Sequence, residues 1–370
     1  MKLFLKTSWV AVLITSSALA AQPIKVGVAL RFTSDLNSGA ASMDEGIELA
    51  TENFNAKNAK IAIELVKFSH KDGHDSVEHA AKDIVKSKIK YVVGGEMSDE
   101  AFTLIDTFKG SSTLLMTPSS SNPLLTAGNP LVFRACLADD ATAKPFAKYV
   151  AGLKTNSIGV IHHTSNAYSD YLTNAFLDEF EKMKGATVKI HEFRYGGEHP
   201  QFESAVDQFK KAKVDTVIAF TTQEPLRNFQ ATATKAGLNP LYIGSDGWVI
   251  SDAMKNDSQF KAVRNDYWNS ESKSAAVVKF KEQIQKKYKH KADSSNAQAY
   301  DAALVLFQAI ANSKDPNDVN QVAESLQRDS FSDTVTTKTF RFGRNNSPKK
   351  PMYLYEINHG AVKFLKEIAQ

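Results

Sequence analysis

Two kinds of residue in this chain could do chemistry on a small molecule: an isolated carboxylate and clustered hydroxyls. Asp246 sits between two glycines in Gly244-Ser245-Asp246-Gly247, at the end of the apolar run "PLYIGSD" (240–246). A carboxylate placed where a buried strand ends costs desolvation unless a cation meets it, so a ligand ammonium is the favoured partner. Ser119, Ser120 and Ser121 follow Thr113-Leu114-Leu115-Met116 in the same way, through "TPSSSNPLLT" (117–126), and Ser98 stands at the head of a helix expected to begin near Asp99. Uncharged donors beside a helix N-terminus suit a carboxylate, although each serine alone also fits a cap or turn, Ser98 as the N-cap. Tyr168 and Trp248 stand close enough to strand ends to pack over a ligand.

Signs of catalysis are thin. The chain has no Gly-x-Ser-x-Gly elbow, no Gly-x-x-x-x-Gly-Lys loop and no Gly-x-Gly-x-x-Gly turn. His162-His163 and the pair His70 and His74 lack an adjacent third ligand, so neither reads as a metal site. Cys136, the sole cysteine, lies in the apolar "VFRACL", where a free thiol packs as a small hydrophobe, and no intrachain disulfide can form. No cofactor, metal or enzymatic activity is expected.

These residues must be positioned by something. From residue 24, short β-branched runs alternate with helical spacing: "IKVGVAL", "IAIELVKF", "IKYVVGG" and "STLLM", separated by helices that carry Met43, Ile47, Ala50 and Phe54, then Val77, Ala81 and Ile84, then Ala101, Leu104 and Phe108. The order then restarts with "SIGVIHH", "TVKIHEF", "DTVIAFT" and "PLYIGSD". Strand-helix repetition of this kind gives an α/β fold with parallel, doubly wound sheets, and its restart gives two lobes with a hinge and a cleft between them. Three further helices are expected near 273–288, 297–313 and 317–328, followed by β segments "TKTFRFG" and "PMYLYEINHGAVKFL", the last a hairpin around Asn358-His359-Gly360. At 370 residues, two cores are natural. The expected division is 21–140 plus 272–338 for the first lobe and 141–271 plus 339–370 for the second.

The first twenty residues read separately: Lys2 and Lys6, an apolar stretch, then Ala18-Leu19-Ala20, as in a secretory signal peptide cleaved after Ala20. Its loss takes the formal charge from +4 to +2, too small a balance to suggest a nucleic-acid partner. Export without disulfides suits a bacterial periplasm.

In open parallel sheets, ligands bind at the carboxyl ends of the strands. The loops there are "RFTSDLNSG", "GGEMSDE" and "TPSSSNP" from the first unit, and "HHTSNAYSD", "FTTQEP" and "GSDGW" from the second. With "YVVGGEMSDEAFTLIDTF", "LLMTPSSSNPLLTAGNPLVFRAC", "KAGLNPLYIGSDGW" and "NAQAYDAALVLFQAI", the whole mature chain resembles the type I periplasmic binding proteins of the leucine/isoleucine/valine-binding family, receptors of amino-acid ABC importers.

The resemblance implies that Ser98, Ser119 and Ser121 hold a ligand carboxylate and Asp246 its ammonium, with family tyrosines at Tyr168 and Tyr300. It also implies an ABC permease as partner and a monomeric receptor. Ser38 and Thr222 fall where relatives carry tyrosines, and Arg31 and Asp35 add charge to a loop that is mostly small and neutral in relatives. The side-chain half of the site is therefore expected to differ from a leucine pocket. The same fold could instead take a short amide, a urea-like compound or an organic acid, or serve as an exported sensing domain.

Overall fold

The computed structural model describes residues 22–31, 39–58, 60–71, 73–183, 188–197, 200–248 and 259–369. Ser38, Asp35 and the expected signal peptide lie outside them.

The first sheet is wholly parallel, in the order β2-β1-β3-β4-β5. Its strands are β1 (Ile24–Ala29), β2 (Ile63–Lys67), β3 (Tyr91–Gly94), β4 (Leu114–Thr117) and β5 (Val132–Arg134). Strands β3 and β4 are buried along their whole length, which is why they read as continuous apolar runs. Helices α1 (Gly39–Lys57), α2 (His74–Lys86) and α3 (Ser98–Phe108) connect them. One face of the sheet packs Val28, Met43, Ile47 and Phe133; the other packs Val92, Leu104 and Leu115.

The second sheet runs β12-β11-β10-β9-β8-β6-β7. It contains parallel β6 (Ser157–His163), β7 (Lys189–Tyr195), β8 (Thr216–Ile218), β9 (Leu241–Gly244) and β10 (Lys261–Asp266). Antiparallel β11 (Met352–Asn358) and β12 (Ala361–Ile368) extend the β10 edge. Helices α4 (Asp139–Ala151), α5 (Ala167–Met183), α6 (Glu203–Lys211) and α7 (Gln223–Lys235) belong to this half. The β11–β12 loop is the expected two-residue hairpin: His359 and Gly360 both have positive φ, at 48° and 79°, as a type I′ turn requires.

Three more helices follow β10: α8 (Ala275–Tyr288), α9 (Ser294–Asn312) and α10 (Val319–Arg328). Most of α9 is buried, and its apolar residues join the first core. Among the described residues, the chain therefore passes between lobes three times. Core membership changes between Ala135 and Cys136, between Tyr267 and Trp268, and between Phe342 and Met352. Phe340 and Phe342 pack with the first core, beyond the 338/339 division read from the sequence.

Some local expectations need correction. "TKTFRFG" forms isolated bridges, Phe331 to Phe340 and Phe342 to Pro348, and no strand. Strand β10 escapes a hydrophobic scan because it carries Lys261, Arg264, Asn265 and Asp266, and Asn265 and Asp266 are nevertheless buried.

Candidate functional site

Loops at the carboxyl ends of β3, β4, β6 and β9 converge on one cavity of about 90 Å³. A water needs roughly 10–15 Å³ by a comparable measure, so a small solute has room. The first lobe contributes Glu96, Ser98, Ser119 and Ser121; the second contributes Tyr168 and Asp246. Larger grooves of about 850 and 570 Å³ are lined by charged residues, one by Lys281 and Glu282, the other by Lys82 and Asp106, and share no lining residue with this cavity.

Local sequence explains how each wall is shaped. At the end of β3, a side chain at Gly94 would meet the Ala29 carbonyl oxygen at 2.2 Å, and Gly95 turns the chain with φ of 74°. That turn delivers Glu96, Met97 and Ser98 to the cleft. Ser98 is the first residue of α3 and not its cap; the Glu100 carboxylate instead accepts the backbone N–H of Glu96 at 3.0 Å and of Met97 at 3.3 Å. Ser98 Oγ accepts from Asn122 N at 3.4 Å.

The three consecutive serines divide. Ser119 donates to the Glu96 carbonyl at 2.7 Å, and Ser120 donates to the Gly95 carbonyl at 2.8 Å. Both hydroxyls pin the β4 loop to the β3 loop, and Ser120 does not line the cavity. Ser121 does, and its hydroxyl lies beside the Asp139 carboxyl.

The second wall is acidic. Asp246 is partly buried; its backbone N–H donates to Asn265 Oδ1 at 3.1 Å, and its carboxylate has no salt bridge among the described residues. Burial pushes it up to about 7, with Asp266 adding to the shift and Arg264 and Lys350 opposing it. Behind it, Asp139 is fully buried with neither carboxyl oxygen hydrogen-bonded among the described residues. Burial raises it to about 8, against the Ser121 hydroxyl and Arg134. Tyr168 lines the cavity, and its hydroxyl is bonded to Ser245 Oγ.

Other expected residues stand elsewhere. Tyr300 lines a separate cavity of about 200 Å³, where its hydroxyl accepts from Asn53 Nδ2 at 3.2 Å. At 100° per residue, Tyr300 projects from α9 nearly opposite to Gln298, and it is Ser295 and Gln298 that line the cleft. Thr222 is the N-cap residue of α7 and lies off the cavity. Arg31 is not among the residues lining the cavity; it donates from Nη2 to Glu96 Oε2 at 3.3 Å. Trp248 is a core residue whose Nε1 donates to the Ala219 carbonyl at 3.0 Å. His162 is buried between Asp170 at 2.8 Å and Glu192 at 2.6 Å, and the described residues contain no cluster suited to a metal. The Cys136 thiol is fully buried and pushed up to about 12, which removes its nucleophilic form.

The sequence reading passed over Glu96, Asp139 and Gln298. Glu96 and Asp139 look like ordinary acidic residues near helix starts, and only the phase of α9 marks Gln298.

The lobes touch at the cleft rim. Asp99, in the first turn of α3, accepts from Asn166 Nδ2 at 3.0 Å and from Ala167 N at 3.2 Å, and Asn122 Nδ2 donates to the Ala167 carbonyl at 2.9 Å. The described arrangement is a closed one.

Comparison with known proteins agrees with this fold. The sequence pattern of the periplasmic binding protein family matches residues 23–361. A Leu/Ile/Val-binding protein homolog 3 from Brucella melitensis is 27% identical over 315 residues, spanning 82% of this chain and 83% of that protein. The structure of the branched-chain amino acid transporter substrate binding protein LivJ from Streptococcus pneumoniae, in complex with isoleucine, superposes with a TM-score of 0.82 at 18% identity, covering 94% of this chain and 100% of that one. An ABC transporter solute binding protein from R. palustris in complex with benzoate gives 0.79 at 19% identity, covering 94% and 96%. With two parallel-sheet lobes, three crossings and a strand-end cavity in place, the match over residues 23–361 makes this chain a member of the periplasmic binding protein family.

Proposed function

We propose that this protein is exported to the periplasm, binds an amino acid between its lobes and delivers it, chemically unchanged, to an ABC permease. Asp246 carries the reading: a carboxylate in the cleft, with no salt bridge among the described residues, sharing a cavity with Ser98 and Ser121. An ammonium on Asp246 and a carboxylate on the serines would make the ligand bridge the two lobes. Only closure satisfies both ends, so ligand favours the closed state. The lobes would rotate about the three crossings, near residues 135, 267 and 342–352. Residues 1–20 supply the export signal in this reading, with cleavage after Ala20, and the receptor acts as a monomer.

The benzoate complex of the R. palustris protein favours a second reading, an organic acid as ligand. Asp246 argues against it, because an acid without an amine leaves that carboxylate unmatched and adds like charge nearby. A thermal-shift screen of the mature protein against amino acids, short amides and aromatic acids separates the two. A true ligand at a hundred times its dissociation constant adds roughly 2.7 kcal/mol of stability. Stabilisation by aromatic acids with none by any amino acid would remove the amino-acid reading.

A further inference from the structure

The cavity carries hydrogen-bond acceptors that a ligand carboxylate and ammonium leave unused. Gln298 is buried and lines the cleft from α9; its Nε2 donates to Ser294 Oγ at 3.2 Å. The hydroxyl hydrogen of Ser294 goes to Asp266 Oδ1, so Ser294 can only accept from Gln298, and the amide orientation is fixed. Gln298 Oε1 is the end left over, with no hydrogen-bond partner among the described residues. Native proteins leave few buried acceptors in that condition without a reason.

Two more acceptors border the same space. The Glu96 carboxylate holds Arg31 through Oε2, while Oε1 lies against the start of α1, 2.6 Å from where a side chain at Gly39 would begin. Burial raises Glu96 to about 7 despite Arg31. Ser119 gives its hydrogen to the Glu96 carbonyl, so its oxygen can offer the cavity only lone pairs. An aliphatic side chain would bury these groups unmatched; a donor-bearing one would satisfy them.

We infer that Gln298, Glu96 and Ser119 form the side-chain subsite, and that it selects an amino acid whose side chain ends in N–H donors, an amide or an ammonium, over an aliphatic one of equal size. This rests on the amino-acid reading above.

Calorimetry with leucine, its near-isostere asparagine, glutamine and 2,4-diaminobutyrate tests the inference on the wild type, Gln298→Leu and Glu96→Gln. At least one N–H-bearing amino acid should bind tenfold or more tighter than leucine, and Gln298→Leu should shrink that ratio at least tenfold. Diaminobutyrate losing its advantage in Glu96→Gln while asparagine keeps its own would identify an ammonium contact; the reverse ranking in the wild type would identify an amide. The wild-type ratio needs no variant, and ligand-free melting checks that both variants fold. Leucine binding as tightly as the others, with Asp246→Ala abolishing it, would overturn the subsite and leave the amino-acid reading standing. If none of the four binds and an aromatic acid does, both fall.

Discussion

Asp301 and Asp246 are aspartates held away from water in the same molecule, and their surroundings could hardly differ more. Asp301, on α9, accepts from Val335 N at 2.7 Å, Thr336 N at 2.8 Å and Thr336 Oγ1 at 2.6 Å. Those bonds tie the 334–337 segment to the buried helix, and they hold Asp301 to about 6 against the burial that raises it. Asp246 has no such set, rises to about 7, and faces a cavity. A buried carboxylate with its donors supplied by the chain is structural; one left open at a strand end can accept donors from outside.

Substitution should separate the two most sharply. Asp301→Ala leaves two buried N–H groups and a hydroxyl without their acceptor, and should lower unfolding free energy by about 3 kcal/mol or more, at roughly 1–3 kcal/mol per orphaned group. Chemical denaturation reads this. Asp246→Asn should leave the ligand-free protein as stable or more so, since it removes a carboxylate that burial disfavours. Loss of stability in Asp246→Asn equal to that in Asp301→Ala would erase the distinction.

The adjacent serines repeat the contrast at smaller scale. Ser121→Ala should weaken ligand binding by about 1–3 kcal/mol, because Ser121 lines the cavity. Ser120→Ala should cost about 1 kcal/mol of stability through the lost bond to Gly95, with affinity little changed. Calorimetry and melting of the two variants place each effect. At the rim, Asp99→Ala removes the bonds to Asn166 and Ala167 and should lower affinity by about 1 kcal/mol, with a larger radius of gyration at subsaturating ligand.

The same carboxylates should also make stability depend on pH. Asp246, Asp139 and Glu96 all stand above their ordinary carboxyl values, so the folded state binds more protons than the unfolded one. Their stabilising contribution is therefore present at low pH and lost as pH rises from about 4 to about 8. The ligand-free melting temperature should carry a falling component across that window, and Asp246→Asn should flatten it. An ammonium ligand should bind more weakly as pH falls through 7, where protons compete for Asp246.

Much of this was legible in the sequence, for physical reasons. Buried parallel strands announce themselves by continuous apolar runs, and their carboxyl-end loops share one edge, so Ser98, Ser121, Tyr168 and Asp246 could be brought to one place without coordinates. What escaped depends on neighbours distant in sequence. The hydroxyls of Ser119 and Ser120 are claimed by carbonyls of another loop. Tyr300 and Gln298 share a helix, but only its rotation against α1 decides which faces the cleft. Asp139 reads as a common acidic residue at a helix start, and its burial appears only once Tyr168 and Ser121 close over it.

The central claim is that the ligand's two ends are held by opposite walls, its ammonium by Asp246. Calorimetry on four combinations tests this directly: wild type and Asp246→Ala, each with the amino acid identified by screening and with its amine-free analogue. Removing one partner of a buried charge pair commonly costs about 3–5 kcal/mol, so either change alone should lose that much affinity. The two together should lose little more than one, a coupling of several kcal/mol. Additive losses, with the amine-free analogue as sensitive to Asp246→Ala as the parent, would contradict the account and leave Asp246 a turn residue.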